Sequence, residues 1–220
     1  MIEYITPNNI DDRVLHKSVK ILEQGGIIGL PTDTSWSIVC STQSREGIKK
    51  LRSISGERDE RYFTLLCSSI SQFGEWCSLD NTRFRIINRL APGPYVFILK
   101  TLLGTEKTLS LKRREIGVKL PDHPIPMSVI KNLGSPLYGI TAKKTMTGDH
   151  DADLTESETE EGGVSYKEDS LFEGGWELEA ITGLNLILDP GEDRDRVFST
   201  VLDMRSGDVK LLRPGIGAWP

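Results

Sequence analysis

Apolar residues recur near helical period at Ile10, Val14, Leu15, Val19, Ile21 and Leu22 and stop at Gly25-Gly26, which predicts a first helix capped by Asn8 or Asn9. The pattern then tightens to a short buried strand, Ile27 to Leu30, followed by the hydroxyl-dense turn Pro31-Thr32-Asp33-Thr34. SWSIVCST predicts a second strand, EGIKKLRSI a helix and YFTLLC a third strand. SISQFGEW and NTRFRIINRL predict two helices, the second stopped by Pro92. YVFILKT and IGVKLP are expected as strands, IPMSVIKNL as a helix, and PLYGITA, LNLILD, STVLDM and VKLLRP as further strands. Helices and strands mix without strict alternation and without an internal repeat. That pattern suits one α/β domain with a twisted, partly antiparallel sheet.

A chain of 220 residues, 37% hydrophobic, can bury one substantial core, so residues 1–220 are expected as a single domain. No window approaches the roughly eighteen continuous apolar residues of a membrane span. The start, MIEYITPNN, lacks the basic and apolar regions of a secretion signal, so a cytoplasmic location is expected. Cys40, Cys67 and Cys77 lie in or beside apolar segments without a C-x-x-C pair and read as reduced core thiols. His16, His123 and His150 are far apart, so neither a zinc site nor a histidine-based triad is encoded recognisably, and any metal is expected to arrive with a nucleotide. The formal charge of −5 is uneven: Asp149 to Asp169 hold nine acids against one lysine, leaving the rest at +3. This acidic stretch, at about 148–170, is expected as an extended or mobile surface loop.

Strand followed by PTDT places a polar turn at a strand's carboxyl end, where open α/β sheets usually take ligands. Alone, that turn is merely well capped; its companions in order are PGPYVFILK, IGVKLPDHP, SPLYGITAK and the tail STVLDM…LLRPG. Over residues 10–215 this combination resembles the YrdC-like family of threonylcarbamoyl-adenylate synthases. It is most similar to the YciO branch, through YFTLLCSS at Tyr62 to Ser69 and KRREIGVKLP at Lys112 to Pro121. The resemblance implies a YrdC-like α/β fold, a twisted mixed sheet with flanking helices and a central concave cleft, in the family's short architecture. The implied reaction joins threonine, bicarbonate and ATP into threonylcarbamoyl-AMP and pyrophosphate, with Mg²⁺ accompanying the nucleotide, for threonylcarbamoyl modification of adenosine in tRNA. Family members are also associated with double-stranded RNA.

At the positions matching the family's motifs, Thr32, Asp33 and Thr34 fall on the threonine-binding turn. Trp36 stands where tyrosine is usual and is expected as an aromatic wall of the substrate site, while Ser37 replaces a glycine. The family's Lys-x-Arg pair falls on Ser55 and Glu57, with Arg58 able to slide into the arginine's role. Such an exchange turns a +2 site into −1, and a carboxylate about 6 Å from a phosphate charge costs roughly 3 kcal/mol at an effective dielectric near 20. The Ser-x-Asn signature falls on Thr141 and Lys143, and Lys143 is expected either as a solvated loop lysine or as a replacement cation reaching the phosphates. Lys119 takes the place of an arginine that would hold a carboxylate or bicarbonate, keeping the charge but losing the two-point fork. Ser199, Thr200 and Arg213 match the family's contacts near the nucleotide, and Val96 removes a usual hydroxyl. Thr141, Lys143 and Lys119 are therefore the catalytic candidates, and Ser55, Glu57, Arg58, Thr141, Lys143, Ser199 and Arg213 the nucleotide-binding candidates. Lys112, Arg113 and Arg114 are a basic run able to meet phosphates of ATP or RNA, although no aromatics interleave with them. Two readings stay open: an enzyme acting on threonine or another small amino acid, and a non-catalytic paralogue binding nucleotide, tRNA or double-stranded RNA.

Overall fold

A computed structural model of the chain describes residues 1–55, 63–148, 157–158, 164–165 and 168–219. It begins with a short strand, β1 (Ile2–Tyr4), too brief to show a period in the sequence. Helix α1 (Asp12–Glu23) is capped by Asp11 rather than by Asn8 or Asn9, because the Asp11 carboxylate accepts from Arg13 N at 2.7 Å. Gly25, at φ 77°, turns the chain out of the helix and into β2 (Ile28–Pro31) and β3 (Trp36–Ser41). Next come α2 (Arg45–Ser55), β4 (Thr64–Leu66), α3 (Ile70–Trp76), α4 (Asn81–Leu90) and β5 (Tyr95–Lys100). A short helix that no sequence pattern signalled, α5 (Thr105–Leu109), precedes β6 (Glu115–Lys119), α6 (Pro124–Leu133) and β7 (Leu137–Thr141). A small hairpin, β8 (Ser157–Glu158) with β9 (Val164–Ser165), falls within the acidic stretch, most of which lies outside the described residues. The chain closes through β10 (Leu186–Asp189), β11 (Thr200–Asp203) and β12 (Lys210–Arg213).

Among the described residues, ten strands form one mixed sheet in the order β1-β10-β2-β3-β7-β4-β6-β5-β11-β12. Period-two alternation gives this sheet two unlike faces. One face carries Trp36, Ile38, Cys40, Leu65, Phe97, Leu99, Ile116, Val118, Tyr138 and Ile140 into a core shared with α2 and α3. Burial there pushes the Cys40 and Cys77 thiols up to about 12, consistent with inert core residues.

The other face is covered at one end only. Helices α1 and α6 pack on each other and on β2, joining Val14, Leu15, Leu22, Ile125, Val129 and Ile130 to Ile28, Leu30 and Val39. Beyond β3 the same face opens. Its outward row follows the strand register: Val39 faces Gly139, Gly139 faces Thr64, Thr64 faces Gly117, and Gly117 faces Ile98. Ser37 opposes Thr141 one step along. Two glycines beside a threonine keep this stretch of surface low, so the uncovered half of the face is a trough. Among the described residues no helix is long and apolar enough to cross a membrane.

The trough depends on close approach at Gly139. A Cβ there would lie 2.6 Å from Val39 Cγ1 and 3.0 Å from the Ile38 carbonyl oxygen, so the sheet must yield. Gly139→Ala is expected to lower the urea midpoint with an unchanged slope, a loss of about 1–3 kcal/mol. Gly74→Ala, in α3 with nothing within 4 Å of the added carbon, is expected to leave the midpoint unchanged or raise it.

Candidate functional site

The trough is walled by the turn after β2, by residues 198–199 and by Arg213, and it is lined by Thr32, Thr34, Ser35, Ser37, Thr64, Leu66, Val96, Ile98, Lys119, Thr141, Lys143, Phe198, Ser199 and Arg213, among others. Counted out to its open mouth, solvent space included, the trough holds about 740 Å³. The structure therefore brings Thr32, Thr34, Lys119, Thr141, Lys143, Ser199 and Arg213, far apart in sequence, to one cleft. Val96 also lines it, so the hydroxyl missing at that position is missing from the cleft itself.

The turn is built by its own hydroxyls. Thr32 Oγ1 donates to the Ser35 carbonyl at 2.7 Å and accepts from Thr34 N and Ser35 N at 3.2 and 3.3 Å. The Thr32 hydroxyl is thus committed to holding the turn. Thr34 is freer, and its Oγ1 lies 3.0 Å from Lys119 Nζ and 3.3 Å from Ser199 Oγ. Lys119 Nζ also reaches Ser199 Oγ at 3.0 Å and Asp33 Oδ1 at 2.9 Å. The Lys119 side chain is only 4% exposed and that of Asp33 10%. Burial pulls the Lys119 ammonium below the usual lysine range, and the adjacent Asp33 carboxylate opposes that shift. Asp33 stands behind Lys119 rather than lining the cleft. The 2.9 Å approach is an ion pair without hydrogen-bond alignment, and neither Asp33 oxygen has an aligned hydrogen-bond donor.

Two cations complete the walls. Lys143 is 2% exposed yet lines the cleft, held by an isolated bridge between its backbone and Leu171. A buried position replaces the solvated loop lysine that its sequence context allowed. Arg213 lies with its guanidinium carbon 4.8 Å from the Phe198 ring centre and donates to the Ser199 carbonyl from Nη2 at 2.9 Å. The ring contact and the hydrogen bond together hold this guanidinium at the cleft lining.

Two expectations, Trp36 and Ser55, end elsewhere. Trp36 is fully buried on the opposite face and donates from its indole N–H to the Glu173 carbonyl at 2.9 Å, so it forms no wall of the cleft. Its neighbour Ser37 faces the cleft, and adjacent strand residues point to opposite faces. Ser55 ends α2, buried and donating to the Arg52 carbonyl at 2.9 Å, away from the lining. Glu57 and Arg58 lie outside the described residues. Lys112, Arg113 and Arg114 are exposed ahead of β6, and Arg113 stands 3.7 Å from Glu115.

Arg194 and His123 were not anticipated. Arg194 donates through Nη2 to the Thr32 carbonyl, and its Nη1 lies 3.3 Å from His123 Nε2. His123 caps α6, where its Nδ1 accepts from Ile125 N at 3.3 Å. The pair clamps the ligand-side turn from behind. Nothing in the charged string GEDRDR distinguishes Arg194 from a solvated arginine.

The Sua5/YciO/YrdC family profile, described as telomere recombination, matches residues 20–152. The chain belongs to this family. The YciO protein of Escherichia coli strain K12 is 28% identical over 217 residues, spanning 97% of this chain and 95% of the relative. A threonylcarbamoyl-AMP synthase from Mus musculus is 23% identical over 91% of this chain and 66% of its own length. The crystal structure of E. coli YciO superposes with a TM-score of 0.79 at 24% identity, covering 99% of this chain and 97% of that one. P. abyssi Sua5 complexed with L-threonine superposes with a TM-score of 0.78 at 18% identity, covering 98% of this chain and 57% of that one. Both structures share the family's α/β fold with its mixed sheet and flanking helices.

The clamp carries a pH signature. Burial and the Arg194 charge lower His123 to about 4, since the interior disfavours a charged ring and the guanidinium beside it repels one. The unfolded chain takes up that proton near 6.5, so it binds more protons than the folded protein between about 6.5 and 4. Stability is therefore lost as pH falls through that window, by about 1–2 kcal/mol after solvent screening. His123→Asn retains an acceptor at the helix cap and is expected to flatten that part of the dependence, read from urea midpoints at about pH 7.5 and 4.5.

Proposed function

We propose that the chain is a cytoplasmic ATP-binding protein that carries out, or descends from, threonylcarbamoyl-AMP synthesis, a reaction that supplies tRNA modification. The observation that carries this reading is one cleft holding Lys119, Lys143 and Arg213 over the low strand surface of Ser37, Thr64 and Thr141. In the proposed reaction the amine of threonine, or of another small amino acid, bonds to the carbon of bicarbonate with loss of water. The resulting carbamate oxygen then bonds to the α-phosphorus of ATP as the bond to pyrophosphate breaks. Lys143 and Arg213 would draw the phosphates into the cleft, Thr141 would donate to a phosphate oxygen, and Mg²⁺ would come with the nucleotide.

A second reading, a non-catalytic paralogue that holds nucleotide or structured RNA, draws on the position of Ser55. That residue stands where a phosphate-binding lysine would, but it carries no charge and lies off the cleft lining. Pyrophosphate release with Mg-ATP, threonine and bicarbonate separates the two readings: release requiring all three substrates supports the synthase, and its absence despite calorimetric ATP binding supports the paralogue. Lys143→Ala is expected to weaken ATP binding at least tenfold, since charge-assisted phosphate contacts are worth about 1.5–3 kcal/mol. Unchanged ATP affinity in that variant would remove Lys143 from the nucleotide site.

A further inference from the structure

The Lys119 ammonium has three hydrogens to donate and no capacity to accept. Two hydroxyls accept from it, those of Thr34 and Ser199 at 3.0 Å each, and Asp33 Oδ1 stands 2.9 Å away as its ion-pair partner. An arginine in that place would bring five N–H groups and could hold Asp33 while keeping a face for a ligand carboxylate. A lysine cannot do both. Were Nζ to turn toward a ligand carboxylate, Asp33 would lose its ion-pair partner while its oxygens stay shielded from water without an aligned donor, leaving only the Arg194 charge beyond ion-pair distance to offset it. As built, the pair presents no net charge to this end of the cleft.

What it does present is a hydroxyl. Thr34 Oγ1 and Ser199 Oγ both accept from Lys119, which leaves each hydroxyl hydrogen for another acceptor. Thr34 has an acceptor within reach in Ser199 Oγ at 3.3 Å. Ser199, which lines the cleft, can then donate into it.

We infer that Asp33 is a specificity-determining residue: by taking up Lys119 together with Thr34 and Ser199, it makes this end of the cleft a seat for a neutral oxygen acceptor, such as an amide or ester carbonyl, instead of a free carboxylate. The inference rests on the reading of the cleft as a site for small amino-acid compounds, and within that class it favours a derivative with a neutral carbonyl over threonine itself.

The test compares L-threonine with L-threoninamide, titrated by ligand-observed NMR into the full chain. The parent binds threoninamide at least as tightly as threonine. Lys119→Arg, which supplies spare donors, shifts the ratio of affinities toward threonine by tenfold or more. Asp33→Asn shifts it the same way and serves as the second variant should the larger side chain fail to fold. A ratio is read because a general loss of packing weakens both ligands together and leaves it unmoved. A parent preferring threonine tenfold, an unmoved ratio in both folded variants, or no binding of either ligand by any of the three proteins overturns the inference. ATP affinity measured on the same samples reports separately on the nucleotide reading.

Discussion

One ammonium group joins parts of the sheet that the strand order keeps apart. Lys119 ends β6, while Asp33 and Thr34 follow β2, and β3, β7 and β4 lie between those two strands. Ser199 adds the lead into β11 from the far side. The cleft keeps its shape because this contact staples its walls across an open half-sheet, where no helix does the work among the described residues. Placing a cation there is costly, since burial opposes its charge, and the adjacent carboxylate is what offsets that cost. The same residues that shape the site are therefore among its least solvated.

Much of this architecture is visible in the chain as written. Strand alternation in YVFILK and LYGIT already separates core from cleft residues, and the PTDT turn announces a polar wall. The same rule also contradicts one expectation: Trp36 and Ser37 are consecutive in a strand, so only one of them can face the ligand. Ser37 does, and the tryptophan belongs to the core. Other features leave no local trace. β1 has three residues and α5 five, too few for a period to emerge. Arg194 and His123 act by meeting across 71 positions of sequence, and neither is marked by its neighbours. Thr64 interrupts an apolar strand, a signal that points outward once the register is known.

The positions of Ser55 and Lys143 differ sharply. Ser55 closes on its own helix instead of reaching the cleft, whereas Lys143 brings a charge to the opposite wall from a nearly sealed position. A buried cation is held more rigidly than one on a loop, which favours a defined ligand pose over broad attraction of polyanions.

The strand order also bears on how the protein is made. β1 and β2 never touch each other; β10 lies between them and pairs in parallel with both. A nascent chain therefore carries its first strand without a partner until residues 186–189 have left the ribosome. The turn that lines the cleft likewise waits for Arg194 and Ser199 before its clamp and its staple can form. Long-range pairing of this kind makes folding slow and leaves strand edges exposed during synthesis. The acidic stretch emerges just before that closing set of contacts, so the net charge of the growing chain falls from +7 to −1 while its sheet is still incomplete.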